Sequence, residues 1–231
     1  MLSVDALQVH YGSTHAVRDV SFSVQDGRPL GLIGPNGAGK TSVLSALSRL
    51  VPSAGRMHFD GYDLGGWSPD RVARAGLIHV PEGRRVFPNL TVRENLLMGL
   101  RARGGRASEY DMDDVFDLFT PLRPLVDRLG FALSGGEAQM VAVGRGLLGA
   151  PRLMMVDEPS LGLSPLMTEA VTSALIEIGS RTALMVVEQN LQVTARICPE
   201  ALVLQAGAVV IQGPTADLLA SEDVVASYLS G

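Results

Sequence analysis

Hydrophobic and polar residues follow two different periods along this chain, and these periods predict a mixture of strands and helices. Residues 2–11 and 16–24 alternate between apolar and polar positions, as strands do, and the Gly-Ser-Thr turn between them predicts an antiparallel pair. Residues 30–33 and 153–156 are short apolar runs, which are typical of strands buried on both faces. Residues 40–50 carry apolar side chains at helical spacing and stop before Pro52.

The remaining pattern continues this mixture. Further strands are predicted at residues 56–60, 77–80 and 183–187, with a hairpin around residues 206–208. Further helices are predicted after Ser68-Pro69, at residues 135–148, 165–178 and 191–197, and as two short helices within residues 215–229. Strands that alternate with helices predict an α/β fold with a mostly parallel sheet, here with an antiparallel β part at the start of the chain.

A purely helical stretch interrupts this alternation. Thr91, with Glu94 three residues later, forms a capping box, and Ser108 is predicted to open an acidic amphipathic stretch that ends at Phe119. We therefore predict one domain over residues 1–231, with an α/β core at 1–88 and 134–231 and a helical subdomain at about 89–133.

Composition and charge restrict the class of protein. No apolar run approaches the roughly 20 residues that a membrane-spanning helix needs, and residues 1–11 do not resemble a secretory signal, so we expect the cytosol. The net charge of −5 disfavours nucleic acid as a partner. The single cysteine, Cys198, is expected to be a small core residue.

A glycine-rich segment lies between the predicted strand at 30–33 and the predicted helix at 40–50. It fits the phosphate-loop pattern GxxxxGK[ST] at every fixed position. With the serine that follows, its residues are Gly34, Pro35, Asn36, Gly37, Ala38, Gly39, Lys40, Thr41 and Ser42. The glycines allow backbone N–H groups to turn toward phosphate oxygens, and the helix N-terminus adds a favourable dipole. The segment predicts that the chain binds a nucleoside triphosphate such as ATP.

Lys40 is the only lysine among 19 basic residues. A slim ammonium reaches the outer phosphates through a tight glycine loop more easily than a planar guanidinium does. We expect this ammonium to be held against phosphate when nucleotide is bound and to be freer without it. The neighbouring Thr41 hydroxyl is placed to ligate Mg²⁺.

The apolar strand at 153–156 ends in two carboxylates, Asp157 and Glu158. Beside a phosphate loop, the first carboxylate of such a pair anchors Mg²⁺ through its water shell, and the second orients or deprotonates the attacking water. Asp157 is therefore the predicted metal residue and Glu158 the predicted base. The alternative is that the two carboxylates have no role in chemistry and only face solvent at the end of the strand.

A second candidate anion site lies at the start of the predicted helix 135–148. Ser134, Gly135, Gly136 and Glu137 follow Leu133, and a serine with two glycines at a helix N-terminus suits a phosphate. This site predicts a second nucleotide, or the same nucleotide approached from another molecule. The alternative is a serine N-cap followed by glycines that only serve the turn.

These motifs together resemble the ATPases of ABC transporters, and the resemblance covers essentially the whole chain. It implies a phosphate-loop NTPase fold of the ABC-ATPase type in which two ATPase domains meet head to tail. By this resemblance Tyr11 stacks on adenine, Glu82 occupies the Q-loop position near the metal, and residues 134–137 form the signature. Residues 160–163 then form the D-loop. Taken alone, Tyr11 would more often be a core aromatic of a strand than a ligand contact, and its place before Gly12, in register with the family pattern, favours adenine stacking.

A narrower resemblance is carried by residues 80–96 and 187–190. Both stretches are similar to the second ATPase subunit of bacterial branched-chain amino-acid importers. The chain departs from the wider family at Glu82, where glutamine is usual, and at Gln189, where a switch histidine is usual. The subgroup resembles the chain at both positions, so we retain Gln189 as a catalytic candidate with Lys40 and Glu158.

The resemblance implies ATP hydrolysis coupled to solute import. The expected partners are a second ATPase subunit and permease subunits that contact residues 82–88, which places the chain in the cytoplasm on the inner face of the membrane. Three alternatives remain at this point. They are an ATP-binding regulatory subunit with little hydrolysis, the ATPase of a urea or amide importer, and an ABC-type protein of DNA repair or translation, which the short helical insert disfavours.

Overall fold

Two β-sheets organise the chain, which a computed structural model describes over residues 1–220. In chain order the strands are β1 (Leu2–Tyr11), β2 (Thr14–Val24), β3 (Leu30–Ile33), β4 (Ala54–Phe59), β5 (Tyr62–Asp63), β6 (Leu77–Val80), β7 (Leu153–Asp157), β8 (Ala183–Glu188), β9 (Glu200–Gln205) and β10 (Ala208–Pro214). The α-helices are α1 (Lys40–Leu47), α2 (Pro69–Ala75), α3 (Val92–Leu97), α4 (Met112–Leu118), α5 (Gly135–Leu148), α6 (Pro165–Arg181), α7 (Leu191–Ile197) and α8 (Thr215–Ala220). Short 3₁₀ helices follow at Met98–Arg103, Thr120–Leu125 and Gly130–Ala132.

The first sheet is antiparallel and has the strand order β2-β1-β4-β5. Leu2, Val4, Leu7 and Val9 of β1 are buried, in the period-two pattern of a strand except for one break between Val4 and Leu7, where the register shifts. The predicted pairing of the first two strands is confirmed by the register of Leu2 against Val24.

The second sheet has the order β10-β9-β3-β8-β7-β6 and is parallel from β9 to β6. Every residue of β3, β7 and β8 is buried, as the continuous apolar runs predict. The carboxyl ends of parallel strands lie at one edge of a sheet. The loops that follow β3, β6, β7 and β8 therefore meet at that edge, although they are distant in sequence.

Helix α5 packs between this sheet and the helices that follow β6. A Cβ added to Gly144 would lie 2.6 Å from Val115 Cγ1 of α4, and one added to Gly146 would lie 2.7 Å from Met154 Cε of β7. Both glycines therefore allow α5 to approach its neighbours on opposite sides. Between β6 and β7 the described chain is helical apart from its loops, as predicted.

Several predicted helix ends differ from the structure. Ser108 does not open α4: the Asp111 side chain accepts the N–H groups of Asp113 and Asp114, while Ser108 forms a local turn with Tyr110. Helix α1 ends at Leu47 rather than at residue 50, and α6 continues to Arg181. The first of the two predicted tail helices is α8, and the second lies outside the described residues.

Two further expectations concern the core and the membrane. Cys198 is buried, as predicted, and burial raises the pKa of its thiol to about 12. Across residues 1–220, every helix is too short or too polar to cross a bilayer.

A buried amide fixes the loop that precedes α3. Asn95 is fully buried, its Oδ1 accepts the N–H of Phe87 at 2.7 Å, and its Nδ2 donates to the carbonyls of Phe87, Leu90 and Thr91 at 3.0 to 3.1 Å. The two N–H groups of Nδ2 are shared among these three carbonyls, and the side chain ties residues 87–91 to α3.

We expect Asn95→Ala to lower the free energy of unfolding by about 1–3 kcal/mol, because it leaves the Phe87 N–H without its acceptor and removes the side-chain donor from three carbonyls that keep only their backbone donors. Chemical denaturation measures this change. Asn89→Ala, on the same loop but exposed, is the matched control and should change stability by less than about 0.5 kcal/mol. Equal stability of the two variants would contradict the structural role of Asn95.

Candidate functional site

The glycine loop between β3 and α1 is shaped by close backbone contacts. A Cβ on Gly34 would lie 2.3 Å from the Leu204 carbonyl oxygen, and one on Gly39 would lie 2.4 Å from the Ala16 carbonyl oxygen. Gly39 also has φ of 105°, in the left-handed region, at the N-cap of α1. These two positions therefore require glycine for reasons of space. Gly37 also has a positive φ, of 78°, and a Cβ there would face open space.

Lys40 turns into this loop instead of projecting freely. Its ammonium donates to the carbonyls of Gly34 at 2.7 Å and Pro35 at 3.2 Å, and lies 3.1 Å from Glu158 Oε1. The Lys40 and Glu158 side chains are only 6% and 8% exposed. Our expectation of a freer ammonium without nucleotide is therefore wrong, because the chain supplies its own oxygen atoms where phosphate oxygens are predicted to bind.

Glu158 occupies an uncommon backbone conformation directly after β7. Its φ is +47°, in the left-handed region that disfavours residues with a Cβ. Three contacts hold it there: its N–H donates to the Val187 carbonyl at 2.8 Å, Oε1 pairs with Lys40, and Oε2 accepts the Gln189 N–H at 3.2 Å. The predicted base is thus fixed between the phosphate loop and the loop after β8.

Asp157 ends β7 with a buried carboxylate that is only 1% exposed. Neither of its oxygens has a hydrogen-bond partner within the described chain. Burial raises the pKa of Asp157 to about 6, with the Glu158 and Glu82 carboxylates adding to the increase, while the nearby Thr41 hydroxyl and Lys40 oppose it. An orphaned, desolvated carboxylate is the chemistry that a hydrated Mg²⁺ satisfies.

The three residues predicted near the metal line one cavity. Thr41, Glu82 and Asp157 all border it, with His79 and Arg85 on its other sides. Residues 1–220 hold no cluster of three or more His, Cys, Asp or Glu side chains that could bind a metal alone. The residues therefore fit a Mg²⁺ ion that takes most of its ligands from phosphate and water.

The phosphate loop borders an adjoining cleft of about 450 Å³. Tyr11, Glu82, Glu158 and Leu161 line this cleft together with residues 36–42. Tyr11 is half exposed at the end of β1, where its ring is available to a planar ligand. Gln189 is exposed and lines a neighbouring cavity instead, and Glu158 lies between the two cavities.

The predicted second anion site is placed apart from this cleft. Ser134 caps α5, where its Oγ accepts the Glu137 N–H at 3.4 Å and the Glu137 carboxylate accepts the Ser134 N–H at 2.7 Å. The capping alternative is thus present in the structure, and it is compatible with anion binding by the remaining N–H groups. Residues 134–137 are absent from the lining of the phosphate-loop cleft, so one chain does not bring the two sites together.

Sequence reasoning assigned no role to Glu188, the last residue of β8. Its carboxylate is 1% exposed and accepts the N–H groups of Ser160 at 2.8 Å, Gln189 at 3.2 Å and Asn190 at 3.3 Å. Burial raises its pKa, and the Ser160 hydroxyl and the N–H groups of Ser160 and Asn190 act against that increase. The sequence signal that could have found it is the one that found Asp157: an apolar strand that ends in a carboxylate.

Comparisons with known proteins all identify ATP-binding proteins of transport systems as similar to this chain. The family described as ABC transporter matches residues 17–161. BraG of Pseudomonas aeruginosa, a high-affinity branched-chain amino acid transport ATP-binding protein, is 37% identical over 100% of both chains. LptB of Haemophilus influenzae, a lipopolysaccharide export system ATP-binding protein, is 30% identical over 99% of this chain and 97% of its own. The ADP conformation of MJ1267, an ATP-binding cassette of an ABC transporter, superposes with a TM-score of 0.86 at 24% identity, over 100% of this chain and 99% of the other.

The raised pKa of Asp157 makes the stability of the nucleotide-free chain depend on pH. The folded carboxyl titrates at about 6 and the unfolded one near 3.8, so ionisation costs stability progressively as pH rises between these values, and fully above about pH 6. Asp157→Asn removes this cost. We expect it to raise the free energy of unfolding by on the order of 2 kcal/mol at about pH 7.5, with little gain below about pH 4.

Denaturant titrations at several pH values measure this difference between the variant and the unchanged chain. Asp26→Asn, at an exposed aspartate, is the control and should show no such pH-dependent gain. A gain for Asp157→Asn that is the same at low and high pH would show that desolvation of the charge is not its cause.

Proposed function

The chain belongs to the ABC transporter family as one of its ATPases, and we propose that it energises the import of branched-chain amino acids. The observation that supports ATP hydrolysis most directly is the placement of Lys40, Asp157 and Glu158 at one edge of the parallel sheet. The full-length similarity to BraG supports the choice of solute. LptB, at 30% identity, belongs to a lipopolysaccharide export system, so family membership alone does not select the solute.

Hydrolysis requires a water molecule to attack the terminal phosphorus while its proton is removed. In the proposed site the Glu158 carboxylate takes that proton, and the bond to the leaving oxygen of ADP breaks as inorganic phosphate forms. Lys40 and the N–H groups of residues 36–42 hold the outer phosphates, and Tyr11 stacks on the adenine. Mg²⁺, held through Thr41 and Asp157 with Glu82 nearby, would offset charge on the phosphate oxygens.

The contact between Lys40 and Glu158 suggests that nucleotide binding must come before Glu158 can act on water. Without nucleotide, the ammonium and the carboxylate neutralise each other at 3.1 Å. A triphosphate in the loop competes for the same ammonium with several oxygens, and charge-assisted contacts of this kind are strong. We therefore propose that nucleotide binding draws Lys40 toward phosphate and leaves Glu158 available for water. Gln189 would orient the terminal phosphate through its neutral amide.

The separation of the two phosphate sites supports a composite active site. Cassettes of this family work as dimers, and residues 134–137 lie outside the phosphate-loop cleft of their own chain. We propose that the α5 N-terminus faces the nucleotide of a second ATPase subunit, which in the assembled transporter is a different chain. The whole of residues 1–231 would then act as one nucleotide-binding domain, with residues 89–133 as its helical part.

An apolar groove supports docking of a permease near residues 82–88. The groove has a volume of about 400 Å³ and lies between the sheet edge, α2 and α5. Its apolar lining includes Ile78, Val80, Pro81, Phe87, Met98 and Ala142. Arg145 of α5 donates to the Arg85 carbonyl at 2.8 Å and lies 5.3 Å from the centre of the Phe87 ring, so the loop is tied to α5. A permease segment seated here would place the chain on the inner face of the membrane.

Removal of the proposed base tests the enzymatic function. We expect Glu158→Gln to lower ATP turnover by roughly 10²–10⁴-fold while ATP still binds, so that ATP-bound dimers accumulate. Steady-state phosphate release and size-exclusion chromatography measure the two effects. Glu169→Gln, on an exposed part of α6, is the control and should keep normal turnover. A chain without measurable ATPase activity, alone and with its second ATPase subunit, would instead support the regulatory alternative.

Uptake measurements test the solute. In cells that lack this chain, we expect uptake of labelled leucine, isoleucine or valine through the high-affinity route to fall, and the unchanged chain should restore it. Lys40→Ala should not restore it, because the phosphate loop loses its cation. Loss of urea or amide uptake with normal leucine uptake would replace the proposed solute by the alternative one.

A further inference from the structure

Glu188 carries a deeply buried charge for which the hydrolysis proposed above has no direct use. Its carboxylate is 1% exposed, and no Lys or Arg of residues 1–220 forms an ion pair with it. A carboxylate buried without a cation is costly, and the N–H groups that it accepts, together with the Ser160 hydroxyl, reduce that cost. The positions of those N–H groups therefore indicate what the side chain does.

The contacts of Glu188 join two loops that belong to different parts of the sequence. Oε1 accepts the N–H of Ser160, at the start of segment 160–163, at 2.8 Å. Oε2 accepts the N–H groups of Gln189 at 3.2 Å and Asn190 at 3.3 Å, at the start of the loop after β8. Each carboxylate oxygen thus serves a different loop.

The same set of contacts reaches the proposed base. The Gln189 N–H is shared between Glu188 Oε2 and Glu158 Oε2, at 3.2 Å each. Glu158 has φ of +47°, a conformation that persists only where the surroundings enforce it. Segment 160–163 is already linked to the Glu158 backbone, through Pro159 and through the Leu161 N–H, which donates to the Glu158 carbonyl at 3.2 Å. The Glu188 carboxylate and the Gln189 amide add a separate route from Ser160 to the Glu158 carboxylate itself.

We propose that Glu188 is a positioning residue that couples segment 160–163 to the orientation of the Glu158 carboxylate. This inference rests on the proposed function, in which a second ATPase subunit completes the site and Glu158 takes the proton from water. It adds that this subunit also meets segment 160–163, whose Leu161 is half exposed beside the phosphate-loop cleft. Docking of that subunit sets the position of the Ser160 backbone, and Glu188 transmits it to the amide that holds Glu158. The base is then aligned when the composite site is closed.

Glu188→Gln tests this role with little change in side-chain volume. Its amide keeps one acceptor oxygen, whereas the carboxylate uses two, so one of the two loops loses its contact. We expect kcat for ATP hydrolysis to fall by about 10- to 100-fold, which is the effect of misplacing a reacting group by about 1 Å. The affinity for ATP should stay the same, because Glu188 does not line the phosphate-loop cleft.

Two further variants complete the series. Glu188→Asp keeps both acceptor oxygens but is one methylene shorter, so we expect turnover between that of Glu188→Gln and that of the unchanged chain. Glu200→Gln, at a partly exposed glutamate of β9, makes the same chemical change outside the site and should retain normal turnover.

A double variant separates positioning from a general structural effect. If Glu188 acts through Glu158, then Glu158→Gln with Glu188→Gln turns over ATP no more slowly than Glu158→Gln alone. Additive losses, a lower ATP affinity, or normal turnover in Glu188→Gln would overturn the inference and leave the proposed function intact. Near-normal turnover in Glu158→Gln alone would remove the proposed base, and the positioning role would fall with it.

Discussion

The buried ion pair between Lys40 and Glu158 is the contact on which the arrangement of the site depends. It joins the phosphate loop after β3 to the carboxylates after β7, across the intervening strand β8. Such a pair forms only because three parallel strands end at the same level of the sheet. The burial of β3, β7 and β8 on both faces fixes that level, so the hydrophobic core determines the distance between the charges.

Buried negative charges outnumber buried positive charges at this edge of the sheet, and this imbalance indicates that a cation completes the site. Asp157, Glu158 and Glu188 are all buried, and Lys40 is the one buried cation beside them in residues 1–220. A triphosphate would add negative charge where carboxylates are already desolvated, which raises the electrostatic cost of binding. A divalent cation that arrives with the nucleotide offsets that cost, and the orphaned oxygens of Asp157 are suited to receive it. The site is therefore electrostatically incomplete by itself, which supports the proposal that it binds a nucleotide together with a metal ion.

The sequence predicts those parts of the fold and site that depend on local chemistry. The bounds of β1, β3, β6, α5 and α7 follow directly from the period of the apolar residues and from the capping residues. The phosphate loop is equally clear, because its glycines obey constraints within one short segment. The cap of α4 was missed because Ser108 and Asp111 are both good capping residues, and the choice between them depends on how Tyr110 packs.

The features of the site that the sequence did not predict depend on contacts between segments that are distant in sequence. The bond from Ser160 to Glu188 joins residues 28 positions apart, and no periodic pattern records it. The state of Lys40 without nucleotide was mispredicted for the same reason, since its acceptors include a carboxylate from another strand. The motif indicates what the ammonium does with phosphate present, but not what replaces phosphate when it is absent. That answer requires the tertiary structure.

Arg84 connects the loop of residues 82–88, where the permease is proposed to dock, with segment 160–163 beside the nucleotide site. Its guanidinium lies about 3.3 to 3.4 Å from the carbonyl oxygens of Leu161 and Gly162, and it also packs against Gly135 at the start of α5. Arg84 and its neighbour Arg85 have φ of +65° and +43°, so the loop holds a strained backbone whose geometry depends on these contacts. Segment 160–163 is thus held by Glu188 through an N–H group and by Arg84 through carbonyl groups. A displacement of residues 82–88 would therefore act on the segment next to the proposed base through the Arg84 guanidinium.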